Sequence, residues 1–192
     1  MSGRDRKGVE QRLIDAVGAQ IADHGLGALG VNAVAARAGV DKVLIYRYFG
    51  GLDGLVERWA ASPGFWPSVD EVLQGVPLDG PPGRAARVFL ARYRQALAAR
   101  PATLALLAWE CAGDHPSLRA LEAARERWAL ELRDRVALPP EAWALATLLG
   151  AGVQYLALRS PRVTTYSGLS LDEPGWEALL DVVERAIDRA SA

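Results

Sequence analysis

Apolar residues recur at helical spacing along nearly the whole chain, and no run alternates convincingly with period two. Val9, Leu13, Val17 and Ile21 stand four apart with Ala16 beside them, the single stripe of an amphipathic helix that stops at Gly25-Leu26-Gly27. A short second helix follows, with Val31, Val34, Ala35 and Ala38 on one face and Gly39 as its C-terminal cap. Asp41 then occupies an N-cap position, and a third short helix runs to about Phe49, its Ile45 and Phe49 one turn apart. Gly50-Gly51 breaks the chain again. A fourth helix starts near Asp53 and turns Leu55, Val56 and Trp59 inward.

From Pro63 to Gly83 proline and glycine dominate, with one helical patch around Val69–Leu73, which reads as a connector. Longer helices follow. One runs from Arg84 to Arg100 with Val88, Phe89, Tyr93, Ala96 and Leu97 buried, and Pro101 opens the next, which ends near Gly113. His115–Val136 places Leu118, Leu121, Trp128 and Leu132 in a stripe. Pro139-Pro140 opens a very apolar helix through Leu158, and after a loop from Ser160 to Pro174 a last helix carries Trp176, Leu179, Leu180, Val183 and Ile187. The expected fold class is all-α, with a first domain over 7–67 and a helical second domain over 68–192.

The 192 residues carry 22 basic and 23 acidic side chains, and 51% are hydrophobic. That balance excludes wholesale disorder and a nonspecific polycation, and leaves room for a small basic reading surface. Cys111 is the only cysteine, so no intrachain disulfide forms. No secretory leader and no uninterrupted apolar run of about 18 residues is expected, which points to a cytoplasmic protein with no membrane partner. His24 and His115 stand far from other ligand types, and Glu110 and His115 are five apart, off the Glu-x-x-His spacing of di-metal bundles. Neither a Gly-x-Ser-x-Gly elbow nor a phosphate-binding loop occurs. The expectation is no catalytic residue, no metal, no cofactor and no enzyme activity.

Gly39-Val40 joins two short helices in a tight turn, as in a helix-turn-helix unit at about residues 30–49. The second helix of such a unit enters the DNA major groove. Here Ile45 and Phe49 face the core, which leaves Lys42, Val43, Leu44, Tyr46, Arg47 and Tyr48 outside or at the rim, with Asn32 on the preceding helix. Basic and aromatic side chains interleaved on a short face suit phosphate and base contact, and Val43 and Leu44 suit thymine methyl groups. The other reading is a three-helix cap whose tyrosines merely pack.

The segment from Val31 to Phe49, followed by Leu55, resembles the DNA-binding domain of the tetracycline-repressor (TetR) family, through Ala35, Ala38-Gly39-Val40, Tyr46 and Phe49 at fixed spacing. The resemblance covers roughly residues 7–67. It implies a homodimeric transcriptional regulator that binds a double-stranded DNA operator, with a C-terminal domain for dimerisation and for a small-molecule effector. Three positions depart from the family pattern: Gly30 where Ser or Thr commonly caps the second helix, Leu52 where a Lys usually meets the DNA backbone, and Asp41 where Ser is usual. All three imply fewer phosphate contacts, and Arg4, Arg6 and Lys7 stand ready to compensate as an arm ahead of the first helix.

The C-terminal part is rich in aromatic residues. Phe89, Tyr93, Trp109, Trp128 and Tyr155 are expected to converge on an apolar cavity, with Gln154, Glu110 or His115 as polar anchors. Leu149, Val153, Leu180, Val183 and Ile187 are expected at a two-fold interface, with Gly150-Ala151-Gly152 allowing close approach. The expected function is a dimeric repressor released from a palindromic operator by a hydrophobic or aromatic ligand. The alternative is a small-molecule-binding helical dimer with a weakened or lost DNA-binding head.

Overall fold

The computed structural model describes residues 3–110 and 118–190, so Cys111 and His115 lie outside the described residues. Helices α1 (Gly3–His24), α2 (Val31–Ala38), α3 (Val43–Phe49) and α4 (Leu52–Ala60) follow in order, with a 3-10 turn at Leu26–Ala28. Then come α5 (Val69–Leu73), α6 (Pro82–Ala98), α7 (Pro101–Glu110), α8 (Leu118–Val136), α9 (Pro140–Arg159) and α10 (Glu173–Ala190). The fold is all-α. Within the expected loop after α9, β1 (Thr165–Tyr166) pairs with β2 (Leu169–Ser170) in an antiparallel hairpin. Its turn uses positive φ at Ser167 and Gly168. Strands of two residues leave no alternation for a periodicity argument to detect.

The chain forms two compact units, Met1–Trp66 with Arg100–Arg127, and Pro67–Ala99 with Trp128–Ala192. The first is built on α1, which packs against α2, α4 and α7. Leu13, Val17, Ile21, Val34, Ile45, Leu55 and Val56 are all fully buried in it. Each such side chain contributes about 1.5–3 kcal/mol over leaving it in water. Gly39 ends α2 at φ 66, a left-handed conformation costly for other residues, and its N–H bonds back into the helix. Gly54 serves a different need: a side chain there would run into the Phe49 carbonyl, so its absence lets α4 close onto the end of α3.

After α4 the expected connector begins, yet its first residues are anchored. Phe65 and Trp66 are buried, and Trp59, Phe65 and Trp66 form a tilted series with centroids 5.0 and 5.8 Å apart. The Thr103 hydroxyl of α7 donates to the Phe65 carbonyl, and Arg100 Nε donates to the Pro63 carbonyl at 3.1 Å. The unit holding the helix-turn-helix therefore takes in α7 and the first half of α8, beyond the segment 7–67.

In the second unit α6 packs on α10, α9 and α5. A Cβ at Gly83 would meet the Glu184 carbonyl, so α6 and α10 approach closely there, and Gly83 N donates to Asp188 Oδ1 at 2.8 Å. Arg87 reaches Glu177 at 2.5 Å, Asp181 at 3.0 Å and Glu184 at 3.1 Å, while Arg94 pairs with Glu173 at 2.7 Å. The hydrogen bond that Arg87 donates to Glu177 holds its guanidinium above its ordinary pKa. One face of α10 is thus joined to α6 by charge as well as by Trp176 and Leu180, both buried.

Candidate nucleic-acid interface and ligand cavity

In α3 the apolar spacing fixes which residues turn outward. Ile45 is fully buried, whereas Val43 is 60% and Tyr46 57% exposed. Lys42 and Arg47 are exposed as well, Leu44 and Tyr48 are half-buried, and Asn32 is exposed on α2. Val43, Tyr46 and Arg47, three and four residues apart, thus share one open face of the helix. Asp41 has a local task. Its Oδ1 accepts from Val43 N at 2.8 Å and its carbonyl from Leu44 N at 3.0 Å, so the carboxylate sits at the positive end of α3 and is partly neutralised there. Gly30 caps α2 without any side-chain bond, and Leu52 is half-buried at the start of α4.

Arg6 and Lys7 lie within the first turns of α1, not on an arm ahead of it. The Arg6 guanidinium stands 5.0 Å from the centre of the Tyr48 ring, and Arg47 stands 5.9 Å from the same ring. Arg6 Nε also donates to Glu10 at 2.6 Å, which raises its pKa. One aromatic ring thus gathers two cations beside the exposed face of α3. Arg37 is committed elsewhere: it bonds Gln20 at 3.1 Å and Asp23 at 2.7 Å, clamping α2 to α1.

The second unit holds a cavity of about 740 Å³. Phe89 and Tyr93 of α6 and Trp128 of α8 line it together. Phe89 and Tyr93 stack with centroids 5.8 Å apart at 12°, and Tyr93 and Trp128 at 5.6 Å and 16°. Gln154 also lines the cavity, its Nε2 donating to the Tyr93 hydroxyl at 2.7 Å. Trp109 and Tyr155 are not in the lining. Trp109 lies against Gly27 in the first unit, and Tyr155, 46% exposed, packs edge-on against Tyr166 with centroids 5.5 Å apart. Glu110 is held in the first unit by Arg125 at 2.6 Å. Sequence reasoning missed what makes the space. Ala142, Ala146 and Gly150 recur every four residues along α9 and all line the cavity, so small side chains leave one helix face unfilled.

Residues 13–58 match the family model of bacterial regulatory proteins of the tetR family. A transcriptional regulator from Rhodococcus sp. Rha1 superposes with a TM-score of 0.69 at 25% identity, over 94% of this chain and 96% of that one. These matches support a regulator of the tetR family. A TetR family transcription regulator from Marinobacter aquaeolei VT8 has a TM-score of 0.68 at 18% identity, over 97% of this chain and 98% of that one. NalD, the secondary repressor of the MexAB-OprM multidrug efflux pump in Pseudomonas aeruginosa, has a TM-score of 0.66 at 16% identity, over 95% and 96%. No curated protein matches the sequence. Family and fold make this chain a DNA-binding transcriptional regulator.

The residues expected at a two-fold interface face several ways. Val153 and Leu180 are 5% and 2% exposed, so they pack inside the protomer and present nothing to a partner. Leu149 and Ile187 are half-buried and line the cavity, and Val183 is half-buried. The open apolar positions are Leu145, Leu148 and Tyr155 of α9, one helical face, together with Val182 of α10. Side chains at Gly150 and Gly152 would meet nothing within 4 Å. Among the described residues no group of three or more metal-ligating side chains comes together, and no helix is long and apolar enough to cross a membrane.

Proposed function

We propose that this tetR-family protein is a cytoplasmic homodimeric repressor that reads a palindromic operator through α3 and leaves it when a small hydrophobic or aromatic molecule fills the cavity of the second unit. The observation that carries the reading is the outward face of α3, where Lys42, Val43, Tyr46 and Arg47 stand exposed over a fully buried Ile45. Asn32, Leu44 and Tyr48 complete the contact set, with both Arg6 and Arg47 near the Tyr48 ring. A two-fold dimer supplies two such helices one DNA turn apart, which is what a palindrome requires. The exposed stripe of α9 with Val182 of α10 is the surface proposed for pairing, in place of Val153 and Leu180. Selection from a random duplex pool tests the proposal. It should enrich an inverted repeat with half-sites about one helical turn apart. Failure to enrich any sequence would favour a ligand-binding dimer whose head no longer reads DNA.

A further inference from the structure

We infer that the cavity of the second unit takes a flat aromatic ligand that is neutral or positively charged, and that it turns away carboxylates and phosphates of the same size. This rests on the proposed reading of the cavity as the effector site and assigns the chemistry of that effector. The shape argument comes from Phe89, Tyr93 and Trp128, whose successive rings lie 12° and 16° from parallel and all line the space. Near-parallel rings favour another flat ring, and their electron-rich faces attract a cation.

The charge argument comes from the rest of the lining. Among the described residues lining the cavity, Glu141 is the one acidic side chain and no arginine or lysine takes part. Arg87, on the same helix as Phe89 and Tyr93, is spent on Glu177, Asp181 and Glu184. The start of α9 is a positive helix end that could draw an anion, but Glu141 lies in that first turn and answers it. A carboxylate entering this space loses its water shell and gains no cation, while a cation gains Glu141. The polar pair is suited to neutral groups. Tyr93 accepts from Gln154 Nε2, and the other end of the same amide, the Gln154 carbonyl oxygen, is an acceptor. A ligand hydroxyl or amine finds an acceptor there without any charge to balance.

The test uses the full-length protein and three probes on one ring system: 9-anthracenemethanol, 9-anthracenemethylamine as its ammonium, and anthracene-9-carboxylate, each titrated calorimetrically. The amine and the alcohol should bind, and the carboxylate should bind more weakly by about tenfold or more. Glu141→Lys, at an exposed position, should weaken the amine, strengthen the carboxylate and leave the alcohol unchanged. Ala146→Phe, which fills the cavity, should weaken every probe. Equal affinity of the wild type for all three, or an order that Glu141→Lys does not change, overturns the charge preference and leaves the cavity reading standing. Absence of binding by any probe, or binding that Ala146→Phe leaves untouched, overturns both.

Discussion

The helix-turn-helix core and the core around α6 use the same apolar residue types to opposite ends. In the first, Leu13, Val17, Ile21, Val34, Ile45, Leu55 and Val56 leave no exposed surface, and Gly54 removes even a methyl group to bring α4 against α3. In the second, Ala142, Ala146 and Gly150 hold a helix face back from its neighbours, and about 740 Å³ stays unfilled. A filled core holds the outward side chains of α3 in one arrangement, which specific base contact requires. An unfilled core gives up packing energy and keeps volume for another molecule. A filled head and a hollow second unit fit the proposed division between reading a fixed sequence and admitting a ligand.

That contrast can be broken by substitution, and the largest effect should come from α10. Leu180→Glu places an unpaired charge among buried side chains and should cost on the order of 4 kcal/mol or more, unfolding the second unit in a thermal melt. Leu148→Glu, at a position 72% exposed, should leave protomer stability within about 0.5 kcal/mol. In sedimentation it should nonetheless run as a monomer, and it should lose operator binding.

Core truncation separates the two regions next. Ile45→Ala should cost about 2–5 kcal/mol and abolish DNA binding, since its site is full. Ala146→Leu, the reverse change at the cavity, should cost little or stabilise by about 0.5–2 kcal/mol in chemical denaturation. A large penalty at Ala146 would mean the second core is already packed.

Smaller effects concern the DNA face. Arg47→Ala should weaken operator binding by about 1–3 kcal/mol and relax one position in each half-site, measured by competition with single-base variants. Arg6→Gln should reduce the salt dependence of binding by about one phosphate contact, uniformly across sequences. Glu10→Gln, which frees Arg6 from its carboxylate partner, should strengthen binding with the same uniformity. An unchanged salt slope in both would make the Arg6–Tyr48 contact purely structural.

The smallest effect is a pH dependence in the second unit. The Gly175 N–H donates to Asp172 at 2.9 Å, and this bond holds the Asp172 pKa below its ordinary value. A depressed carboxylate pKa stabilises the fold above the unfolded-state value near about 3.9 and loses that contribution as pH falls through the folded-state value. Asp172→Asn should therefore flatten the acid limb of the stability profile, lowering stability slightly in the neutral region and matching the wild type at low pH.

How much of this was legible in the sequence follows the same division. The head was readable because its signals are local: Gly39, Asp41, Ile45 and Phe49 lie within eleven residues of one another. Phe89 and Tyr93 were readable as a pair because they sit one turn apart on α6. Trp109 and Tyr155 were not placed, because periodicity tells which face of a helix is apolar and not which neighbour that face meets. The same limit applies to Val153 and Leu180: an apolar residue looks alike in sequence whether a helix of its own protomer or a partner's helix covers it. The hairpin after α9 was too short to show a period.

The central claim is that DNA reading and ligand sensing are coupled in one molecule. The most direct test titrates the tightest-binding aromatic probe against the protein alone and against the protein saturated with its selected operator. The account predicts that operator weakens the probe by the same factor by which the probe weakens operator, as linkage demands. Identical probe affinity in both states would contradict it, because the cavity would then hold a molecule without controlling the DNA-binding face.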